Sequence, residues 1–550
     1  MIETVRLFGA LREEFVEVTL RHNPVAATMA GIHDYDALLP DDSPDGVRER
    51  GAWLRDFDQR LVATVPWQDL PTEHRVDFAI MRSKVAAMQA DLEELKRHAR
   101  YPAMYSEAAL NGLFLLMARP FAPLEERKEP ILARLMAIPD YLKAARANLT
   151  EVPAVFRDIA AEVNASGPAF VDGLAGELIR SFPGEAERIE HAASRARVGF
   201  IQYQEFLDRD LRGRVGGTFA IGERWMNYKL EREHLLPFDC RALEELGREH
   251  VELTRAALEA AARKIDPART WRDLVEEGKR SHPEPLRVRE AYVAETERAR
   301  RFLEQKRLMP AAENPLEIID TPVFERPTTP YAAYLPPSPF DQDQTGYFYV
   351  TPIDLSRPRA EQEQQLQGHC NASLSLTVVH EAYPGHHLQL YHSNRAGSRL
   401  RRLADSNVLC EGWALYCEEL MFEQGYHADP LARVFQLKDL LWRACRVVID
   451  VGLHTGRMSI EQAVDFLVEQ AMLERVNAET EVKRYTATPT QPMSYLVGKL
   501  LLLELREEAK RRRGAGFNLY DFHSAVLASG SIPPTLMDAE IWDRLSPAPA

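Results

Sequence analysis

The chain of 550 residues is 45% hydrophobic and 27% charged, which is the composition of a globular protein with a large core. Its formal net charge of −15 argues against nucleic acid as a partner, because phosphate binding needs clustered lysine and arginine. Five cysteines show no paired spacing, the N-terminus is charged where an export signal would be apolar, and no apolar run is long enough to span a membrane. These observations predict a cytoplasmic protein without a membrane partner.

Residues 1–309 predict one helix after another. Apolar residues recur at helical spacing, as in Leu7 and Leu11, and prolines separate the successive helices. Eight prolines between residues 310 and 339 exclude a continuous helix, so the best candidate boundary lies there. We predict a helical lobe over residues 1–309 and a metal-binding lobe over residues 310–550, or one domain in which the two halves are intertwined.

Two short runs favour β-structure. Leu316–Asp320 predicts a short strand within the proline-rich stretch. Gly346–Val350 is rich in aromatic residues and is bounded by polar residues and a proline, which predicts a second strand. Together they indicate a small sheet in a chain that is otherwise helical.

The residues that suggest chemistry begin at His380. His380 and Glu381 match the start of the His-Glu-x-x-His zinc pattern, in which two histidines four residues apart share one helix face, but the next histidines here are His386 and His387. On an uninterrupted helix, His386 would be rotated by roughly 240° from His380. His387 would lie about 10.5 Å along the axis, a long reach for two imidazoles that bind one ion at about 2.0–2.1 Å. A regular helix is therefore a poor framework for a shared metal.

Two residues between the histidines predict an interruption. Pro384 has no N–H group for the carbonyl oxygen of His380, and Gly385 adopts backbone angles that other residues avoid. The pair predicts a bulge that returns His386 to His380. Glu411, 25 residues after His386, would then arrive on the next helix as a third ligand. Two imidazoles and one carboxylate are a ligand set that suits zinc.

The two motifs, His380–Gln389 and Glu411–Tyr416, resemble those of the domain-of-unknown-function family 885, which is grouped with zinc peptidases of the glutamate-ligand zincin clan. The resemblance covers most of the chain and is most specific from about Gly346 to Glu508. It implies a mainly α, zincin-like fold with a small β-sheet beside a long cleft, of which the N-terminal lobe forms one wall. It assigns zinc ligation to His380, Glu411 and either His386 or His387. It assigns general-base catalysis to Glu381.

The C-terminal part of the chain contains candidates for further catalytic roles. Zincins of this type bring a tyrosine, histidine or arginine from this part to face the metal, and the candidates here are Tyr495, Arg484, His454 and Tyr485. A tyrosine would stabilise the oxyanion, and an arginine would hold a substrate carboxylate. The alternative is that these side chains only pack. By the same resemblance, Gly346–Val350 is either an edge strand that pairs with an extended peptide or a buried strand of the sheet.

The combined hypothesis is a Zn²⁺-dependent hydrolase that cleaves short peptides, with Glu381 as the general base that activates water. A zinc hydrolase of a non-peptide amide and a non-catalytic helical scaffold are the alternatives. The sequence leaves open the length of the peptide, the position of cleavage and the oligomeric state.

Overall fold

The computed structural model describes residues 2–322, 326, 329 and 331–545. The protein is mainly helical, as predicted. The helices are α1 Ile2–His22, α2 Pro24–Ala30, α3 Pro44–Thr64, α4 Thr72–Gln89, α5 Arg97–Arg100, α6 Ala103–Ala118, α7 Leu124–Asn148, α8 Ala154–Ala165, α9 Gly167–Ser181, α10 Ala186–Glu205, α11 Glu223–Tyr228, α12 Cys240–Ile265, α13 Trp271–Gly278, α14 Val288–Lys306, α15 Arg359–Gly368, α16 Asn371–Glu381, α17 His386–Ser393, α18 Arg399–Arg402, α19 Asn407–Glu423, α20 Pro430–His454, α21 Ile460–Ala471, α22 Arg475–Ala487, α23 Ser494–Arg513, α24 Leu519–Ala528 and α25 Pro534–Leu545. Short 3-10 and π segments lie between them at Trp67–Asp69, Ala90–Glu94, Pro183–Glu185, Phe206–Leu211, Arg212–Arg214, Lys229–Glu233, Pro285–Arg287 and Gly514–Gly516.

The chain divides into two compact units. The first consists of Met1–Ile221 with Ser338–Asp343, and the second of Gly222–Pro337 with Gln344–Ala550. The proline-rich stretch that the sequence suggests as a boundary falls mostly inside the second unit. That the first 309 residues form one wall of a cleft stays a prediction. None of the helices in the described ranges is long and apolar enough to cross a membrane.

In the first unit, α7 packs against α6 and α10. Most of the fully buried side chains of these three helices are apolar, although Arg134 of α7 and Ser106 of α6 are buried with them. The apolar ones include Leu113, Leu116, Ile131, Leu135, Ile138, Leu142 and Phe200. Several contacts hold the returning segment Ser338–Asp343. Among them, the Phe340 N–H donates to the Ala30 carbonyl oxygen (3.0 Å), His33 Nε2 lies 2.9 Å from Asp341 Oδ1, and Arg119 donates to the Ser338 hydroxyl group.

In the second unit, the most extensive helix packing joins α12 to α20 and α19 to α23. Glycines set both spacings. A Cβ atom at Gly247 of α12 would lie 2.9 Å from Val447 Cγ1, and one at Gly412 of α19 would lie 2.4 Å from Gly498 Cα of α23. The helices therefore approach more closely than larger residues would allow.

A three-stranded sheet, β1 Leu316–Asp320, β2 Ala332–Leu335 and β3 Gly346–Val350, belongs to the same unit. The strand order is β1-β3-β2, with β3 parallel to β1 and antiparallel to β2. Both strands predicted from the sequence are present, and β2 is additional. The interpretation of Gly346–Val350 as an edge strand is wrong, because neighbouring strands pair with it on both sides, which leaves its backbone no free edge for a peptide.

Candidate metal centre

The histidine motif lies at a break between two helices. Helix α16 ends at Glu381, and α17 begins at His386 after a turn that contains a cis Tyr383–Pro384 peptide bond. The predicted bulge is thus a complete break in the helix. At Gly385 a Cβ atom would lie 1.8 Å from the His380 carbonyl oxygen, so only glycine fits this position of the turn.

Helix α19 holds this turn in place. Trp413 Nε1 donates a hydrogen bond to the Pro384 carbonyl oxygen at 2.8 Å, and Cys417 Sγ donates to the same oxygen at 3.5 Å. Trp413 and Cys417 are fully buried and lie four residues apart, on one face of the helix. The helix that carries Glu411 therefore also positions the turn between the histidines.

Three candidate ligand atoms converge between these helices. Glu411 Oε2 lies 3.6 Å from His380 Nε2 and 3.5 Å from His386 Nε2. The two imidazole rings are 4.9 Å apart and nearly perpendicular, at 87°. The separations from Glu411 are longer than ordinary hydrogen bonds. They are close to the roughly 3.3 Å between neighbouring ligands around a tetrahedral zinc ion with bonds of about 2.0–2.1 Å, so the donor set and its spacing fit zinc.

Glu381 is a fourth group beside the other three. Ligand atoms of His380, Glu381 and His386 all lie within 4.8 Å of one another. We assign the third ligand position to Glu411, because its oxygen is at most 3.6 Å from both imidazole nitrogens. Glu381 is close enough to interact with this centre through one intervening water molecule.

Glu418, seven residues after Glu411 on α19, orients His380. His380 Nδ1 lies 2.9 Å from Glu418 Oε1, and Glu418 is buried. Burial by itself lowers the pKa of His380, but the carboxylates of Glu411, Glu418 and Glu381 outweigh it and raise the pKa to about 10. Burial likewise opposes ionisation of Glu411, and the nearby imidazoles outweigh it and hold the pKa of that carboxyl well below its usual value.

His387 turns away from the converging ligand atoms. Its Nδ1 lies 3.0 Å from the Tyr334 hydroxyl group, and its ring packs edge-on against Tyr383. The side chain is fully buried, which lowers its pKa to about 4. The structure therefore groups His386, rather than His387, with the two other candidate ligands.

Tyr495 of α23 lies beside His380. Their rings are nearly parallel, at 20°, with centroids 6.4 Å apart. This approach depends on Gly498, where a Cβ atom would lie 1.7 Å from the Val408 carbonyl oxygen of α19. Burial and the charge of Glu411 raise the pKa of Tyr495, so its hydroxyl group stays protonated and can donate a hydrogen bond.

A family described as "Bacterial protein of unknown function (DUF885)" matches residues 24–541. The chain belongs to this family. The predicted family is thereby confirmed, and its description names no activity, so the relationship to zincins stays a hypothesis. No curated protein is significantly similar to the chain.

Two solved structures share the fold of this DUF885 chain. One, described as a "putative lipoprotein of unknown function from Shewanella oneidensis", is 23% identical, with a TM-score of 0.81 and coverage of 96% of this chain and 98% of that chain. The other, described as "the putative lipoprotein from Colwellia psychrerythraea", is 19% identical, with a TM-score of 0.83 and coverage of 98% of each chain. At these identities the likeness concerns the fold alone.

The prediction of a cytoplasmic protein is contradicted by these two structures, since both are described as lipoproteins, a class anchored to membranes. The prediction relied in part on the unpaired cysteines. All five are free, and four of them, Cys240, Cys370, Cys417 and Cys445, are buried. A buried thiol is largely inert in any compartment, so the absence of disulfides does not indicate reducing surroundings.

The other C-terminal candidates take different positions. His454 is fully buried at the end of α20, and its Nε2 lies 3.0 Å from the Tyr485 carbonyl oxygen. Arg484 is 38% exposed and donates to Gln491 Oε1 (3.0 Å) and Glu481 Oε2 (2.9 Å). The Tyr485 hydroxyl group also donates to Glu481, at 2.7 Å. His454, Arg484 and Tyr485 thus make hydrogen bonds to other groups of the protein. Of the four candidates, Tyr495 is the one that packs beside the imidazole ring of His380.

Sequence reasoning missed Glu418 and Arg446. Glu418 had a signal, because residues seven apart on a helix share a face and Glu411 was already a candidate. Arg446 lies over the ring of Tyr495, with Cζ 4.7 Å from the ring centroid. Its position depends on packing between α20 and α23, for which the local sequence has no pattern.

Proposed function

We propose that this chain is a zinc-dependent hydrolase with a zincin-like fold that cleaves peptide bonds of short peptides. One observation carries the proposal: His380 Nε2 and His386 Nε2 lie 3.5–3.6 Å from one oxygen of Glu411, with Glu381 beside them. Ion pairs that only stabilise a fold are usually at hydrogen-bond distance. The longer spacing suits donors arranged around an ion.

The side chains of the centre divide the chemistry between them. His380, His386 and Glu411 would hold zinc, which when bound supplies the Lewis acidity that makes hydroxide available near neutral pH. Glu381 accepts a proton from the attacking water and later transfers it to the leaving amine. The Tyr495 hydroxyl group donates to the oxyanion of the tetrahedral intermediate, a contribution typically worth about 10² to 10³ in rate.

Glu418 fixes the tautomer and the orientation of His380. Its carboxylate accepts the Nδ1–H of His380 at 2.9 Å, so in the neutral form of the ring, which binds metals, the lone pair would be on Nε2. A carboxylate behind a ligating histidine fixes the tautomer and raises the basicity of the ligand. A histidine that binds zinc through Nε2 requires this tautomer, with the proton on Nδ1.

Metal analysis combined with the variant Glu381→Gln tests the proposal. We expect one zinc ion per chain in the parent and in the variant when both are purified without chelator. On a defined peptide mixture read by mass spectrometry, the parent cleaves, and the variant is slower by at least about 10² because it has lost the general base. Glu361→Gln, on an exposed glutamate of α15, is the matched control and retains both properties. Absence of zinc from the parent, or cleavage by Glu381→Gln at the parental rate, would refute the proposal.

A non-peptide amide is the second candidate substrate. Pairing of an extended peptide with β3 would require a free strand edge, and β3 is the central strand of the sheet. The same residues would hydrolyse an acyl amide by the same steps. Screening acyl amides beside the peptides separates the two substrates, and the non-catalytic scaffold predicts turnover of neither.

A further inference from the structure

Two arginines of α20 lie against Tyr495. Arg443 and Arg446 are three residues apart and therefore share a helix face. Their Cζ atoms lie 6.0 Å and 4.7 Å from the ring centroid of Tyr495, whose ring in turn is 6.4 Å from that of His380. The two guanidinium groups are thus one side chain away from the candidate metal centre.

Arg446 is held rigidly and has an unused donor. It is 4% exposed, its Nε donates to the Tyr485 hydroxyl oxygen at 2.8 Å, and its Nη2 donates to Glu481 Oε2 at 3.1 Å. The guanidinium also lies over the ring of Trp442, 4.2 Å from its centroid. Nη1 is buried without a hydrogen-bond partner among the described residues. A buried donor without a partner destabilises a protein, so such a donor calls for a bound water, ion or ligand.

Arg443 likewise has a buried guanidinium donor without a partner in the part of the chain that the structure describes. Its Nη1 donates to the Asp439 carbonyl oxygen at 3.2 Å, and its Nε is buried without a partner in the described ranges. The nearest carboxylate is that of Asp439, at 3.8 Å, and this carboxylate lies closer to Lys438 Nζ, at 2.9 Å. Arg443 therefore lacks a close carboxylate of its own.

The surroundings of Tyr495 carry an excess of positive charge, although the chain as a whole has a net charge of −15. Leaving the candidate ligand Glu411 aside, the cations whose charge acts on Tyr495 are Arg443, Arg446 and Arg484, and the carboxylates that pair with them are Asp439 and Glu481. Three cations against two carboxylates leave one positive charge uncompensated. An anionic group of the substrate would balance this excess, and the guanidinium fork matches a carboxylate in shape.

We propose that Arg443 and Arg446 form a carboxylate-binding subsite of the proposed hydrolase, so that its substrates are peptides with a carboxylate close to the scissile bond. This inference rests on the proposed function. It assigns to these two arginines the role that the sequence suggested for Arg484, which is 38% exposed and donates to Gln491 and Glu481. The carboxylate belongs to the C-terminus of the peptide or to an acidic side chain.

Calorimetric binding to the Glu381→Gln protein tests the subsite without turnover. The probes are trialanine with a free C-terminus, its C-terminal amide, and the amide of Ala-Glu-Ala. We expect the free acid to bind at least about tenfold more tightly than the trialanine amide, because a charge-assisted hydrogen bond is lost with the carboxylate. Tight binding of the Ala-Glu-Ala amide would identify an acidic side chain as the ligand, and weak binding would identify the C-terminus.

Two variants in the same background show whether the arginines cause this preference. Arg443→Gln removes one guanidinium, and Arg446→Lys keeps the charge but loses the planar fork. Both should reduce the preference for the acid, whereas Arg457→Gln, an arginine paired with Glu244 beyond the end of α20, should preserve it. Thermal unfolding checks that the variants fold.

The subsite is refuted if the Glu381→Gln protein binds the free acid, the trialanine amide and the Ala-Glu-Ala amide equally. It is also refuted if the preference for a carboxylate survives in both arginine variants, as it would if the carboxylate bound only to the metal. The proposed function fails in a different experiment. If protein that contains Glu381 binds the free acid but cleaves no peptide, the hydrolase is refuted while the subsite stands.

Discussion

His33 of the first unit and His380 of the second each lie between carboxylates, but their contacts differ. Both ring nitrogens of His33 are at hydrogen-bond distance from a carboxylate, 2.8 Å from Asp36 and 2.9 Å from Asp341. The ring also stacks on Phe121, with centroids 3.7 Å apart. Such an ion pair occupies both nitrogens and leaves neither for a metal. Its effect is to hold the returning segment of the chain in the first unit.

At His380 only Nδ1 makes a contact of this kind, 2.9 Å from Glu418, whereas Nε2 is 3.6 Å from Glu411. His386 repeats the longer spacing at 3.5 Å. In both units burial lowers the histidine pKa and the carboxylates outweigh it, so the pKa of His33 is raised to about 9 and that of His380 to about 10. The pKa therefore does not distinguish the two sites, and the distances do.

The largest effect that would test this distinction is the loss of metal. His386→Asn removes one of the proposed ligands, and we expect loss of bound zinc and of hydrolysis. His33→Asn removes an imidazole that is paired with carboxylates on both sides, and we expect unchanged zinc content. Metal analysis of both proteins after gel filtration measures the zinc bound per chain. Equal zinc in the two variants would show that the spacing at His380 has no relation to metal binding.

A smaller effect is expected one contact away from the ligands. Glu418→Gln weakens the orientation of His380, and mutation of such a partner typically costs about 10- to 100-fold in metal affinity. The comparable change in the first unit, Asp36→Asn, should leave zinc affinity unchanged. Competition with a chelator of known affinity measures both. A Glu418→Gln protein that binds zinc as tightly as the parent would mean that the carboxylate serves packing only.

Each cluster also depends on a glycine. A Cβ atom at Gly385 would lie 1.8 Å from the His380 carbonyl oxygen, and one at Gly31, where φ is +83°, would lie 2.7 Å from the Asp341 backbone nitrogen. Overpacking of this kind costs about 1–3 kcal/mol. Gly385→Ala should lower both stability and zinc affinity, whereas Gly31→Ala should lower stability alone. Urea unfolding measures the stability of each variant, and the chelator competition measures its zinc affinity. Weakened zinc binding in Gly31→Ala would contradict the separation of the sites.

Much of the candidate centre could be predicted from local sequence because its determinants are local. Pro384 and Gly385 interrupt the helix, and this interruption returns His386 to His380. The choice between His386 and His387 could not be made, because it depends on the direction in which α17 leaves the turn. The strands at 316–320 and 346–350 followed from composition.

The features that could not be predicted depend on contacts between distant parts of the chain. The central position of β3 results from pairing with β2, a strand of four residues whose burial pattern does not alternate. The environment of Arg446 brings together α20, α22 and α23. The division near residue 221 depends on which helices pack together, and prolines mark only the ends of helices.

The smallest expected effect is a pH dependence of stability that belongs to the first unit. The carboxylates of Asp36 and Asp341 raise the pKa of His33 from 6.5 to about 9 against the opposing effect of burial. Between these two values the unfolded chain releases a proton that the folded state retains, so this stabilisation is fully present below pH 6.5 and is lost as the pH rises through about 9. Allowing for the partial exposure of His33, we expect a loss of about 1–2 kcal/mol, measured by urea unfolding at about pH 6 and about pH 10.

His33→Gln should lack this component, and because the metal centre is the same in both proteins, its own pH dependence cancels in the comparison. Equal pH dependence in the two proteins would show that the contacts of His33 do not stabilise the first unit.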